Sequence, residues 1–181
     1  MTKTLRGVAA AAGLAALLAA GQAQAAIGDS LVATGAGNIF IRYEGTSASY
    51  DSQISVNGGD EFFPNKTTLV GTTLDLGFFA TGTPLDIVLH VTTTGDFFRT
   101  GPASGNPDGV AHANVVYDYL GEAGRTYVGF EDILGGGDLN YGDHTFSLTN
   151  VQAAVPEPAG WLLLIAGLGA IGARRRRKPA A

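Results

Sequence analysis

Leu85-Asp86-Ile87-Val88-Leu89-His90-Val91 decides the fold class. Its odd positions are all apolar, and its even positions include Asp86 and His90. A period of two gives one buried face and one wetter face, which is the signature of a strand. Outward from this stretch the pattern repeats, and strands are expected over 38–43, 49–56, 68–79, 84–93, 110–120, 125–132 and 143–151. In the last of these, Phe146 and Leu148 are apolar on one face. Gly, Asn, Asp and Pro punctuate the runs about every ten residues. No long helical period interrupts them between residues 27 and 155, and there is no internal repeat. The expected body is all-β, an antiparallel β-sandwich or jelly roll.

The two ends of the 181-residue chain read differently. Lys3 and Arg6 precede an Ala/Leu-rich run from Gly7 to Ala20, and Ala23-Gln24-Ala25 is a small-x-small cleavage site. Residues 1–25 therefore read as a secretory signal peptide, with Ala26 the first mature residue. At the other end Pro156-Glu157-Pro158 is followed by an apolar run, Ala159 to Ala173, and by Arg174, Arg175, Arg176, Arg177 and Lys178. Prolines on both sides of Glu157 remove backbone donors and keep the tripeptide extended. The apolar run would be about 22 Å long as a helix, short of a hydrocarbon core of about 30 Å. Arginine stems that snorkel lengthen the effective span, so a single C-terminal transmembrane helix over 159–173 is expected. The basic cluster keeps that end cytoplasmic and orients the preceding body outward.

The three expected segments are thus 1–25, an exported domain over 26–155, and a tail over 156–178. Of 11 Lys and Arg in the chain, seven lie in the two ends and four remain in the body. Of 16 Asp and Glu, only Glu157 leaves it, so the body carries about −11 against −5 for the whole chain. Such a body repels nucleic acid and attracts cations. Cys is absent, which excludes thiol nucleophiles, Cys-ligated zinc and disulfides.

Two loops carry the candidate chemistry. In Thr100-Gly101-Pro102-Ala103-Ser104-Gly105-Asn106-Pro107-Asp108-Gly109 the order around Ser104 is not the Gly-x-Ser-x-Gly of a nucleophile elbow, and Ser104 reads as a turn serine. The second loop, Gly129 to Asp143, holds Glu131, Asp132, Asp138, Asn140 and Asp143 around the triple glycine Gly135-Gly136-Gly137. Two carboxylates about 5 Å apart repel by about 1–3 kcal/mol, and a bound Ca²⁺ reverses that sign. Ca²⁺ takes six to eight oxygens, which Asp, Asn, backbone carbonyls and water supply. The loop lacks EF-hand ligand order, and a solvated acidic turn accounts for it equally well. His90, His112 and His144 show no zinc-ligand spacing and read as surface or strand residues.

The tail resembles the PEP-CTERM sorting signal of Gram-negative bacteria. Pro156, Glu157 and Pro158 match its recognition motif, and Arg174 to Arg177 match its basic stop. The resemblance implies export through the Sec translocon and signal peptidase. It further implies transient anchoring in the inner membrane, processing by exosortase and delivery to the cell surface or extracellular matrix. The Gly-Pro-Ala-Ser-x-Asn-Pro-Asp-Gly-Val-Ala-His and Gly-Phe-Glu-Asp runs resemble an uncharacterised exported β-domain that recurs with this signal. That likeness covers about Leu74 to Val151 and places Glu131, Asp132, Asp138 and Asp143 on acidic positions. The chain departs from it with Asn140 in place of Asp and Gly142 in place of Asn.

The expected function is a non-enzymatic surface or matrix protein, calcium-stabilised and associated with exopolysaccharide or biofilm. The alternative is a calcium-dependent carbohydrate-binding module with Tyr141, Tyr117, Tyr119 or Phe130 as stacking platform. A hydrolase would need two facing carboxylates, which a sequence does not place.

Overall fold

A computed structural model describes residues 26–154, within one residue of the body expected between the two end segments. The expected signal peptide, the sorting motif at 156–158, the expected apolar helix and the basic cluster lie outside the described residues. Among the described residues twelve strands appear in chain order: β1 (Ala26–Ile27), β2 (Leu31–Ala33), β3 (Asn38–Gly45), β4 (Ser52–Val56), β5 (Thr73–Phe78) and β6 (Pro84–Leu85). They continue with β7 (Ile87–Val91), β8 (Asp96–Arg99), β9 (Ala113–Val116), β10 (Arg125–Phe130), β11 (His144–Thr149) and β12 (Val151–Ala153). Among the described residues the helical segments are two 3-10 turns, Ala103–Gly105 and Tyr119–Gly121, and no helix is long and apolar enough to cross a membrane.

The body is all-β and every strand pairing is antiparallel. A six-stranded sheet runs β1-β9-β10-β11-β3-β5, and two three-stranded sheets run β12-β2-β6 and β4-β7-β8. Leu85, Ile87, Leu89 and Val91 are all buried, as their alternation requires. The continuous strand expected over 84–93 is nevertheless split at Asp86. Its N–H donates to Asn57 Oδ1 (2.8 Å), and its carbonyl accepts from Asn57 N–H (2.9 Å), which takes it out of the ladder. On one side of that break β6 pairs with β2, and on the other β7 pairs with β4 and β8.

Asn150 does the same for the last strand. It adopts φ 57°, a left-handed conformation that Asn tolerates better than most residues. Before it β11 stays between β10 and β3; after it β12 pairs with β2. All three sheets thereby give apolar side chains to one core, from Leu31 and Leu85 through Ile54 and Phe98 to Val128 and Phe146. The strand expected over 110–120 shrinks to β9, because Asp118 (φ 47°) and Leu120 (φ 57°) turn the chain into a 3-10 segment.

Candidate functional site

The two loops singled out in the sequence are bonded to each other at one end of the six-stranded sheet. Asn106 is buried in the first loop: its Oδ1 accepts from Arg99 N–H (2.8 Å) and its Nδ2 donates to the Val110 carbonyl (2.9 Å). His112 is wholly buried and stacked on Phe98 at 3.7 Å between ring centroids. Its Nε2 lies 2.8 Å from Asp108 Oδ2 and its Nδ1 3.0 Å from the Glu131 carbonyl oxygen. Asp108 Oδ2 also accepts from Gly135 N–H at 2.7 Å, and Glu131 N–H donates to the His112 carbonyl at 2.9 Å. His112 therefore fixes the backbone of Glu131 from both sides. His90 and His144 are strand residues, in β7 and β11, as expected; His112 is neither, being wholly buried just ahead of β9, and Ser104 sits exposed in a 3-10 turn.

Glu131 and Asp132 follow directly on β10 and are 1% and 2% exposed. Glu131 Oε1 accepts from Tyr141 N–H at 2.7 Å. Its other oxygen, Oε2, and Asp132 Oδ2 are both buried without a hydrogen-bond partner. A methyl group on Gly137 would collide with Glu131 Oε2, so glycine lets the loop close over that carboxylate. Asp143 Oδ2 accepts from Asp132 N–H at 3.3 Å, and Asp143 N–H donates to the Phe130 carbonyl at 3.0 Å.

Glu131, Asp132, Asp138, Asn140 and Asp143 all line one open cleft of about 560 Å³, with Ile133 and Gly137. Its opposite wall comes from much earlier in the chain and was not foreseen: Ser47, Ser49 and Tyr50. Nothing local in the sequence marks them, because strand pairing and the Ser47 N–H to Gly142 carbonyl bond (2.8 Å) bring them there. Asn65 Nδ2 donates to the Tyr50 carbonyl at 2.9 Å, and Lys66 Nζ donates to that of Ala48.

Burial, then the neighbouring charge of Asp143, push the Asp132 carboxyl up to about 7, while Lys66 pulls the other way. Burial also raises Glu131, with Asp143 and Asp138 adding to it against the Tyr141 hydrogen bond. Asp108 behaves oppositely. Burial would raise it, but hydrogen bonds from Gly135, His112 and Val110 outweigh that and hold it down to about 2.

The five acidic-loop positions thus divide into two groups. Glu131 and Asp132 are buried at the floor of the cleft, and half-buried Asp143 is bonded to the Asp132 N–H. Asp138 and Asn140 are exposed and engaged with their own loop. Asp138 Oδ1 and Oδ2 accept from Asn140 N–H (3.1 Å) and Nδ2 (2.6 Å), and Asn140 Oδ1 accepts from Gly142 N–H (2.7 Å). Among the described residues no three His, Asp or Glu side chains already converge as a metal site does. Of the expected stacking platforms, Phe130 is wholly buried and Tyr141 is 7% exposed, so neither ring is open to a ligand. Tyr117 is half-buried and donates to Asp29 Oδ2 (2.9 Å), and Tyr119 stacks on Tyr127 at 4.7 Å.

Comparison with known proteins places a PEP-CTERM protein-sorting motif at residues 154–178, and the rest of the chain has no family match. No curated protein and no solved structure matches this chain. The chain therefore carries the sorting signal of an exported, membrane-anchored precursor that exosortase processes.

Proposed function

We propose that the chain is the precursor of a non-enzymatic surface or extracellular-matrix protein whose exported body is an anionic β-sandwich with a calcium ion in the acidic cleft. The sorting motif at residues 154–178 carries the export half of this reading. Signal peptidase removes residues 1–25, the apolar run at 159–173 holds the product in the inner membrane, and exosortase acts near Pro156-Glu157-Pro158. Association with exopolysaccharide or biofilm follows from that destination. Replacing Pro156, Glu157 and Pro158 together by alanine in the producing cell is expected to leave an unprocessed, membrane-retained form, read by intact mass and fractionation. Unchanged mass and location would remove this half of the proposal.

The calcium half rests on one observation, the two buried oxygens without partners. An ionised carboxylate out of water and unpaired is strongly disfavoured. Glu131 Oε2 and Asp132 Oδ2 are in that position, and Asp143 adds a third carboxylate. Protons or a cation relieve the repulsion. Ca²⁺ draws the three carboxylates to a common point, with water completing the shell. Direct titration of the purified full chain with calcium tests this. Saturable binding that Asp132→Asn removes is expected, and absence of binding would refute it.

A further inference from the structure

The cleft is roomier than a cation requires. At about 560 Å³ it falls in the range of small-ligand sites, about 300–1,000 Å³, while only Glu131 and Asp132 among its carboxylates are buried at the floor. We infer that the cation in this cleft binds a neutral saccharide, whose vicinal hydroxyls fill the coordination positions that the protein leaves open. This inference rests on the calcium reading above. Three carboxylates from one side supply fewer oxygens than Ca²⁺ takes unless all are bidentate, so the face toward the opening stays exchangeable. The facing wall suits a sugar: Ser47 and Ser49 offer hydroxyls, Tyr50 is a half-buried aromatic, and Ile133 is 44% exposed. That wall is held before any ligand arrives, because Asn65 and Lys66 bond the carbonyls of Tyr50 and Ala48. Preorganisation of this kind lowers the cost of binding.

Charge selects among saccharides. Glu131, Asp132, Asp138 and Asp143 line the cleft with no Lys or Arg among the lining residues. With Lys66 close enough to act on Asp132, four carboxylates, one lysine and one doubly charged cation leave one negative charge, so an anionic sugar is disfavoured and a neutral one is not. Tyr50 takes the stacking role that Phe130 and Tyr141 are too buried to fill.

The test is isothermal titration of the calcium-loaded full chain, in a non-glycosidic detergent, with methyl mannoside, methyl galactoside and galacturonate. At least one neutral glycoside is expected to bind, EGTA to abolish that binding, and galacturonate to bind about tenfold more weakly or not at all. Tyr50→Leu keeps an apolar side chain and should weaken sugar binding about fivefold at unchanged calcium affinity. Ser49→Phe, at an exposed position, should block the sugar and spare the metal. Calcium binding without either neutral glycoside overturns this inference and leaves the calcium reading standing. Sugar binding that survives EGTA, or tighter binding of galacturonate, also overturns it. No calcium binding overturns both.

Discussion

Asp108 and Asp132 stand on neighbouring loops, both largely withdrawn from water, and their carboxyls end far apart. Asp108 receives hydrogen bonds from Gly135, Val110 and His112 and is held at about 2. Asp132 has one oxygen buried with no partner, faces Asp143, and is pushed up to about 7. The donors each loop supplies make the difference. A buried carboxylate with three donors is part of the framework; one left without a donor is poised for a proton or a cation. Function is therefore expected where hydrogen bonding is incomplete, and stability where it is complete.

The largest way to break this contrast is Asp108→Ala. It strips a partner from the wholly buried His112 and from Gly135 N–H, and is expected to cost about 3 kcal/mol in urea unfolding. A loss below about 1 kcal/mol would mean that the clamp is not structural. Next comes pH. Asp132 titrates near 7 when folded and near its ordinary 3.8 when unfolded, so the folded state binds more protons between those values. In EGTA its contribution to stability falls as pH rises from about 4 to about 7, then levels off. Asp108, depressed instead, contributes fully above about 4 and loses its contribution as pH falls toward 2.

Asp132→Asn should remove the first slope and, in EGTA at neutral pH, stabilise the protein by about 1–2 kcal/mol. A destabilised variant at that pH would contradict the assignment. His144, lowered to about 3 by burial, contributes its own loss as pH falls from about 6.5, so the comparison is made as variant against parent. The smallest expected effect is at the rim. Asn140→Ala loosens a self-contained turn and should alter calcium affinity by less than about 1 kcal/mol, whereas Gly137→Ala, at φ 53° against Glu131, should lower it further. Equal effects of the two would place the cation at the rim instead of the floor.

The strands were legible wherever alternation ran long enough. Leu85 to Val91, Phe146 and Leu148 bury as their period demands. β1, β2 and β8 were missed because two to four residues leave no room for a period to show. The breaks at Asp86 and Asn150 were missed because each depends on a distant partner, Asn57 in one case and β2 in the other. The acidic loop was visible as composition. Its division into a floor and a rim was not, since burial separates Glu131 and Asp132 from Asp138 and Asn140. The wall of Ser47, Ser49 and Tyr50 joins through tertiary packing alone.

Thermal melts of the full chain near neutral pH, with millimolar calcium and with EGTA, test the cleft most directly. A site whose Kd lies about a hundredfold below the calcium concentration stabilises by about 2.7 kcal/mol, which raises Tm by about 5 °C or more. The expected result is such a rise for the parent and none for Asp132→Asn. Superimposed parent curves would contradict the calcium site.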